Sequence, residues 1–518
     1  MFEKVDKKIA LISAAICGIF VIWTVLTPET MQEIFNVLFK FFINNLGWLY
    51  LLCVSLFLLF CIVLAFSKYG KIKLGKDDEE PEYSNMTWFA MLFSAGMGIG
   101  LVFWGAAEPI YHFANSPFAE SGSPEAVTIA LRTTFFHWGI HPWASYGVIA
   151  LALGYFQFRK GLPALVSSTL HPLIGDEGIN GPIGQTVDII TVVVTLIGVA
   201  TSLGLGSMQV VTGMNYIFGI PNTMSVSIIF VAIVTLIFTM TAVSGLKRWM
   251  KWLSNINMII AAVVALFILM VGPTVFLLES FTEALGNYLQ NVVMLSFFTD
   301  AAGVVAEKTG YDWIGSWTVF YWAWWLTWAP FVGSFIARIS RGRTIKEFVL
   351  GILVAPTILS AIWFTLMGGS AIHLELFGNG GIAEATFNDV TSSVFATFAQ
   401  YPLSGFLSAM AMIMVTIFFL TSANSATFVI GMFTSRGDLE PSSGLKIVWG
   451  VFEGFLAIAL LMAGGLSAVQ TVSFTVGLPF MILMLFIMYS FLKALNRDQE
   501  YINEKSVYTQ VLKEKENV

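Results

Sequence analysis

Long apolar runs alternate with short polar stretches along the whole chain, and the runs set the expected architecture. A helix that crosses the hydrocarbon core of a bilayer needs about 20 predominantly apolar residues. Twelve runs qualify, centred on 9–28, 46–66, 86–109, 127–156, 186–216, 224–245, 250–277, 314–337, 345–369, 404–435, 443–464 and 468–492. Several exceed the minimum, which predicts tilt, breaks or extension past the bilayer. Two other stretches, 279–297 and 380–399, have amphipathic helical patterning and are expected as surface helices at the membrane interface. The expected fold class is an all-α integral membrane protein with twelve transmembrane helices. No soluble domain is expected, and residues 493–518 read as a short charged tail. The opening MFEKVDKK and the run behind it lack a small-residue cleavage site, so they read as a retained first span.

Charge placement supports the count. Lys and Arg concentrate in cytoplasmic loops. With twelve spans, 23 of the 26 Lys and Arg fall on one side, among them Lys68, Lys71, Lys73, Lys76, Arg159, Lys160, Arg338, Arg341 and Arg343. Only Lys40 and Lys308 fall in the opposite loops, and Arg132 lies near the outer end of span four. Both termini are therefore expected in the cytoplasm. Of the 518 residues, 57% are hydrophobic and 11% charged. Soluble proteins carry about 25% charge, so a water-soluble enzyme is excluded. A net charge of -6 leaves no basic footprint for nucleic acid. Cys17, Cys53 and Cys61 lie in apolar runs without CxxC spacing and read as buried free thiols.

Irregular backbone within a bilayer is tolerated where it is buried in protein or lines a cavity, so interrupted spans point to a site. The third span reads FSAGMGIGLVFWGAAEP, with Gly96, Gly98, Gly100 and Gly105. Close helix packing explains some of these glycines. Alternate residues do not share a helix face, so local unwinding explains the series better. The eighth span, FYWAWWLTWAPFVGSFIARISRGRT, carries Pro330 and Gly333 in mid-run and is expected to break as well. Paired broken helices five spans apart are the arrangement of transporters built from inverted repeats.

Trp138, Trp143 and Tyr146 of span four and Trp324, Trp325 and Trp328 of span eight lie in or near mid-span. An interfacial belt would place tryptophan at span ends. Packed aromatic faces suit a quaternary ammonium, which cannot donate hydrogen bonds. Thr421 and Ser422 in FFLTSANSATF either bond back to the preceding turn or ligate an alkali cation. His137 and His141 are four apart, but no third ligand accompanies them, so no transition-metal site is expected. Asp188, Glu453, Glu108 and Arg132 read as charges that pair or reach the interface. No proton relay and no phosphate-binding loop occurs, which argues against a proton pump and an ATPase.

Laid out in this order, AGMGIGLVFWG, HWGIHPWASY, the eighth-span motif and FFLTSANSATF closely resemble the betaine/carnitine/choline transporter family across all twelve spans. The resemblance implies a leucine-transporter-type fold of two inverted five-helix repeats preceded by two extra helices, assembled as a homotrimer in the cell membrane. The division it implies is 1–85, then a first repeat over 86–277, an extracellular connection over 278–313, a second repeat over 314–492, and the tail. It assigns the substrate box to Trp138, Trp143, Tyr146 and Trp325, with Trp324 and Trp328 along the pathway and Gly98 and Gly100 beside it. It assigns a co-transported sodium ion to carbonyls near Ser94, Met97 and Phe418 and to the hydroxyls of Thr421 and Ser422. A second sodium would use Thr195 and Phe331, but Val199 replaces a threonine of the pattern and cannot ligate. Asn424 replaces an aspartate found in similar sequences. Choline-selective members resemble this chain but carry Asp where Gly100 stands, so Gly100 implies a zwitterion such as glycine betaine. The implied activity is sodium-coupled import for osmoprotection; the alternative is sodium-independent exchange of carnitine-like compounds.

Overall fold

The computed structural model describes residues 5–516 apart from 97, 245 and 246, with only the backbone of 95, 247–249, 251 and 499–516. The chain is helical throughout and forms no strand among these residues. The first helices are α1 (Lys7–Leu26), α2 (Pro28–Phe66), α3 (Asn85–Gly96), α4 (Ile99–Ala114), α5 (Pro124–Trp138), α6 (Ile140–Gly154) and α7 (His171–Asn180). Next come α8 (Pro182–Phe218), α9 (Met224–Ser244), α10 (Lys247–Val271), α11 (Thr274–Ser296) and α12 (Val304–Thr309). The remainder are α13 (Phe320–Ile339), α14 (Ile345–Phe364), α15 (Ser370–Phe377), α16 (Ile382–Asn388), α17 (Ser393–Ala399), α18 (Ser404–Phe433), α19 (Ser443–Met462) and α20 (Leu466–Glu516).

Local chemistry starts and stops these helices. Ser123 accepts from the Ala126 amide ahead of α5, with Pro124 in the first turn. Thr344 and Glu347 form a reciprocal capping box at α14. Gly219, at φ 68°, ends α8 in the left-handed conformation that glycine adopts without strain.

Nine described helices are long and apolar enough to cross a membrane, and the α3–α4 pair makes a tenth if counted as one span. The expected span 127–156 is instead two 15-residue helices that meet at Gly139. The expected span 314–337 is α13 preceded by a π-helical turn at Gly315–Val319. Burial is graded from centre to rim. In α8 83% of the most apolar stretch is buried, against 22% in α1. Leu26, Met240 and Met270 leave large apolar side chains uncovered, as a lipid-facing surface would. All three cysteines are free and buried.

Three expectations need correction, and the tail, read as a short helix or as disordered, is helical. Residues 29–45 continue α2 rather than forming a loop, and at 39 residues α2 is about 58 Å long, well beyond a bilayer core. The stretch 380–399 is not one surface helix. Asp389 is extended and caps the turn at Val390–Ser392, splitting the segment into α16 and α17. Val394, Phe395 and Phe398 are buried, with α17 packed on α4 and α18. The tail continues α20 as far as Glu516. Finally, α13 runs unbroken through Pro330 and Gly333.

Gly333 serves close packing. A Cβ there would lie 2.1 Å from Ile149 Cγ2 on α6, the helix against which α13 packs most extensively. The stretch 279–297 is helical as expected, within α11. It buries Ala284 and Tyr288 against α5 while Leu289 and Val293 stay exposed.

On the side that carries most of the Lys and Arg, the segment before α3 clasps the start of α14: the Leu74 amide donates to the Arg343 carbonyl at 2.8 Å and the Gly342 amide to Leu74 at 2.9 Å. The Arg341 guanidinium bonds Glu79 and holds its carboxyl below the usual range. Arg159 bridges Asp77 and Asp498 at 2.7 and 2.5 Å, tying α20 to this clasp. Gly333→Ala should lower the melting temperature of the detergent-purified protein by at least about 2 °C, because overpacking costs ~1–3 kcal/mol. An unchanged melting temperature would contradict the close α6–α13 approach.

Candidate functional site

The break between α3 and α4 opens the centre of the molecule. The two helices are bent by 74°. Gly98 precedes α4 with a non-helical backbone at φ -125°, ψ -138°. The glycines there face indole rings. A Cβ on Gly96 would lie 2.3 Å from Trp143 Cη2, and one on Gly100 would lie 2.6 Å from Trp324 Cη2 and 2.8 Å from Trp138 Cη2. A Cβ on Gly98 would lie 3.5 Å from Trp328 Cη2 and 3.6 Å from Ser422 Oγ, ordinary contact distances. Close packing and broken backbone are thus both realised: the bare backbone turns, and indoles fill the space that side chains would occupy.

A second break positions the aromatic residues of α5 and α6. Gly139 has a non-helical backbone, leaving Trp138 at the end of α5 and Trp143 in the first turns of α6. The Ile140 amide donates to the Tyr288 hydroxyl of α11 at 3.3 Å. A Cβ on Gly139 would lie 2.6 Å from that hydroxyl. The sequence reading missed this break; its signal was Gly139 closely followed by Pro142.

Gly96, Gly98, Gly100, Trp138, Tyr146, Trp324, Trp325 and Trp328 line a small cavity of about 20 Å³. Trp325 is the hub, 5.4 Å from Trp138, 5.1 Å from Tyr146 and 6.2 Å from Trp143 between ring centres. Three indole N–H groups are engaged outside the cavity wall: Trp138 with Glu108 at 2.7 Å, Trp324 with Ser202 at 3.3 Å, and Trp328 with the Gly198 carbonyl at 2.8 Å. Those of Trp143 and Trp325 are buried without a partner among the described residues. A buried donor left unmatched is costly, and an acceptor on a bound molecule could satisfy it.

The other expected residues lie as follows. Thr421 Oγ1 donates to the Ile417 carbonyl at 2.9 Å and lies 3.3 Å from that of Phe418. Ser422 faces the Gly98 backbone, whereas Ser94 Oγ turns to Ser254 of α10 at 3.3 Å. Met97 lies outside the described residues. Thr195 gives its hydroxyl proton to the Thr191 carbonyl at 2.7 Å, Val199 is buried, and Phe331 packs on Trp328 at 5.7 Å. Asn424 donates to Thr241 of α9 at 3.1 Å, which gives it a structural partner there.

Buried Asp188, Glu453 and Arg132 meet neutral partners, and Glu453 Oε2 and the Arg132 Nε and Nη2 have none among the described residues. Asp188 accepts from the Ser167 amide and hydroxyl at 3.0 and 2.7 Å, and Glu453 from Thr427 at 3.1 Å. Arg132 meets Asn287 at 3.3 Å. Glu108 is no span-end charge. It is fully buried, with Trp138, Tyr321 and His137 at 2.7, 2.6 and 2.6 Å.

His137 and His141 do not converge: His141 bonds Ser296 at 2.8 Å. Glu108, His112 and His137 do bring three potential metal ligands within 4.8 Å of one another. Both Glu108 oxygens and both His137 nitrogens are nevertheless engaged in hydrogen bonds.

A broken, all-helical core around an aromatic cavity defines a transporter-like class, and comparison with known proteins supplies the family. The profile of BCCT, the betaine/carnitine/choline family transporters, matches residues 8–500, and the chain belongs to that family. It is therefore a multi-pass membrane transporter and not an enzyme. It is 49% identical over 491 residues to a glycine betaine transporter, OpuD, of Bacillus subtilis (strain 168), covering 95% of this chain and 94% of that one. It is 47% identical to a probable glycine betaine transporter of Desulfitobacterium hafniense (strain Y51), covering 95% and 99%. An ectoine/hydroxyectoine transporter of Virgibacillus pantothenticus is 41% identical, with 96% and 98% covered.

Trp325→Ala should weaken ligand binding by about one to two decades if one ring contributes ~1–2 kcal/mol. Titration of the purified protein with glycine betaine checks this, and unchanged affinity would move the site elsewhere.

Proposed function

We propose that the chain is a sodium-coupled symporter that imports glycine betaine by alternating access. The observation that carries this reading is the aromatic cavity on the Gly96–Gly100 backbone. Aromatic faces attract a trimethylammonium group by ~0.5–2 kcal/mol per ring. The opposite end of a zwitterion is a carboxylate. The unpartnered N–H of Trp325, together with bare backbone at Gly98, suits that end. Gly100 favours a zwitterion over a free cation, since Trp324 and Trp138 occupy the space an acidic side chain there would need. Relatives named for glycine betaine agree with this choice.

Sodium is the proposed co-substrate, held beside the cavity where Thr421 and Ser422 of α18 meet the α3–α4 break. One sodium is favoured over two. Val199 offers no oxygen where a threonine would ligate a second ion. Sodium would stabilise an outward-open form, betaine would enter the cage, and the broken helices would rock to open the site inward. The driving force suffices. One charge crossing 100 mV yields about 2.3 kcal/mol, and at ~1.4 kcal/mol per decade this gives roughly fifty-fold accumulation.

The same reading includes twelve spans in a leucine-transporter-type arrangement, with the α5–α6 pair and α13 completing the count. It includes two inverted five-helix repeats, both termini in the cytoplasm of a cell-membrane protein, a homotrimer, and osmoprotection as the purpose.

Proteoliposomes loaded with an inward sodium gradient should accumulate labelled glycine betaine, and replacing sodium by potassium should abolish accumulation. Uptake that ignores the replacement would establish a sodium-independent exchanger instead. In the same assay Thr421→Ala with Ser422→Ala should raise the sodium concentration for half-maximal uptake, and an unmoved value would refute the ligand assignment.

A further inference from the structure

Glu108 sits behind the aromatic cavity, fully buried, on α4. Its Oε2 accepts the Trp138 indole N–H of α5 at 2.7 Å and the Tyr321 hydroxyl of α13 at 2.6 Å. Its Oε1 faces His137 Nδ1 at 2.6 Å and His112 Nε2 at 3.4 Å. His137 Nε2 in turn meets the Thr318 hydroxyl at 2.9 Å. An indole N–H can only donate, and with the Tyr321 hydroxyl it puts two donors on Oε2, the surroundings of an ionised carboxylate. Donors from α5 and α13 converge on this residue of α4, so its buried carboxyl is hydrogen-bonded across three helices.

One of those donors, Trp138, lines the cavity and lies 5.4 Å from Trp325. The carboxylate is thus separated from the cavity by the width of a single indole. Apolar side chains could join the same three helices without burying a charge, so helix packing alone does not account for an acid here.

We propose that Glu108 is a positioning residue and a remote counter-charge. It fixes the plane of Trp138, pushes electron density toward the ring face through the N–H bond, and adds an unscreened attraction for a cation in the cavity. The consequence is selectivity: the site prefers a quaternary nitrogen to a quaternary carbon of the same shape. This rests on the cavity being the trimethylammonium site.

The test compares glycine betaine with tert-butylacetate, which replaces the charged nitrogen by carbon and keeps the methyl groups and carboxylate. Dissociation constants for both are measured on the purified full-length protein in sodium. The wild-type protein should bind betaine more tightly. In Glu108→Gln the ratio of the two affinities should fall about ten-fold, since the lost attraction acts only on the charged head in a low-dielectric site. A ratio that stays at the wild-type value, whatever the absolute affinities do, would overturn the proposal and leave Glu108 a packing residue. If Glu108→Gln does not fold, the ratio is read in Trp138→Phe, which removes the N–H link between charge and ring; the same fall is expected, and an unchanged ratio again overturns it. A wild-type protein that binds neither ligand, or binds both alike, would defeat the cage reading itself.

Discussion

Indole rings laid on bare backbone are the contact on which the centre of this molecule depends. At Gly96 and Gly100 even a methyl group would lie closer to an indole than van der Waals radii allow. The same missing side chains let the chain leave the helix between α3 and α4. Ring packing and backbone break are therefore one feature: rings need the glycines, and the exposed backbone needs the cover of the rings. Irregular backbone in a membrane interior is stable only with such cover.

The surroundings of the cavity follow from that contact. Trp138, Trp324 and Trp328 each spend an indole N–H on a different partner, in Glu108, Ser202 and the Gly198 carbonyl. The ring planes are fixed from behind while the faces stay available. Gly139 divides α5 from α6 so that Trp138 and Trp143 approach from two helix ends, and Tyr288 of α11 holds that division in place. The amphipathic helix after α10 thus contributes to the site at one remove, through a hydroxyl and a buried face. Farther away, Arg159 and Arg341 join the segment before α3 to α20 and to the start of α14.

Much of this was legible in the sequence because lipid imposes strong patterns. Apolar run lengths gave most helices, and mid-span tryptophans together with alternate glycines pointed to the cavity. What escaped was the depth and continuity of individual helices. Pro330 was expected to break α13, yet the helix continues, and Gly333 beside it serves the contact with Ile149. Gly139 was read as part of a continuous span because its neighbours are apolar and aromatic on both sides. Glu108 lies at the end of the apolar run 86–109, and its position in that run reads as a span end. The break restarts the helix at Ile99 and carries it to Ala114, which brings Glu108 into the middle of α4. Residues 29–45 carry enough polar residues to resemble a loop, but their apolar positions continue the helix of α2.

The central claim is that the indole faces hold a methylated, positively charged nitrogen. Progressive fluorination of the tryptophan at position 325, introduced by site-specific incorporation, withdraws π density while changing ring shape little. The account predicts that glycine betaine affinity falls stepwise with each added fluorine. Affinity that stays flat across the series would contradict it.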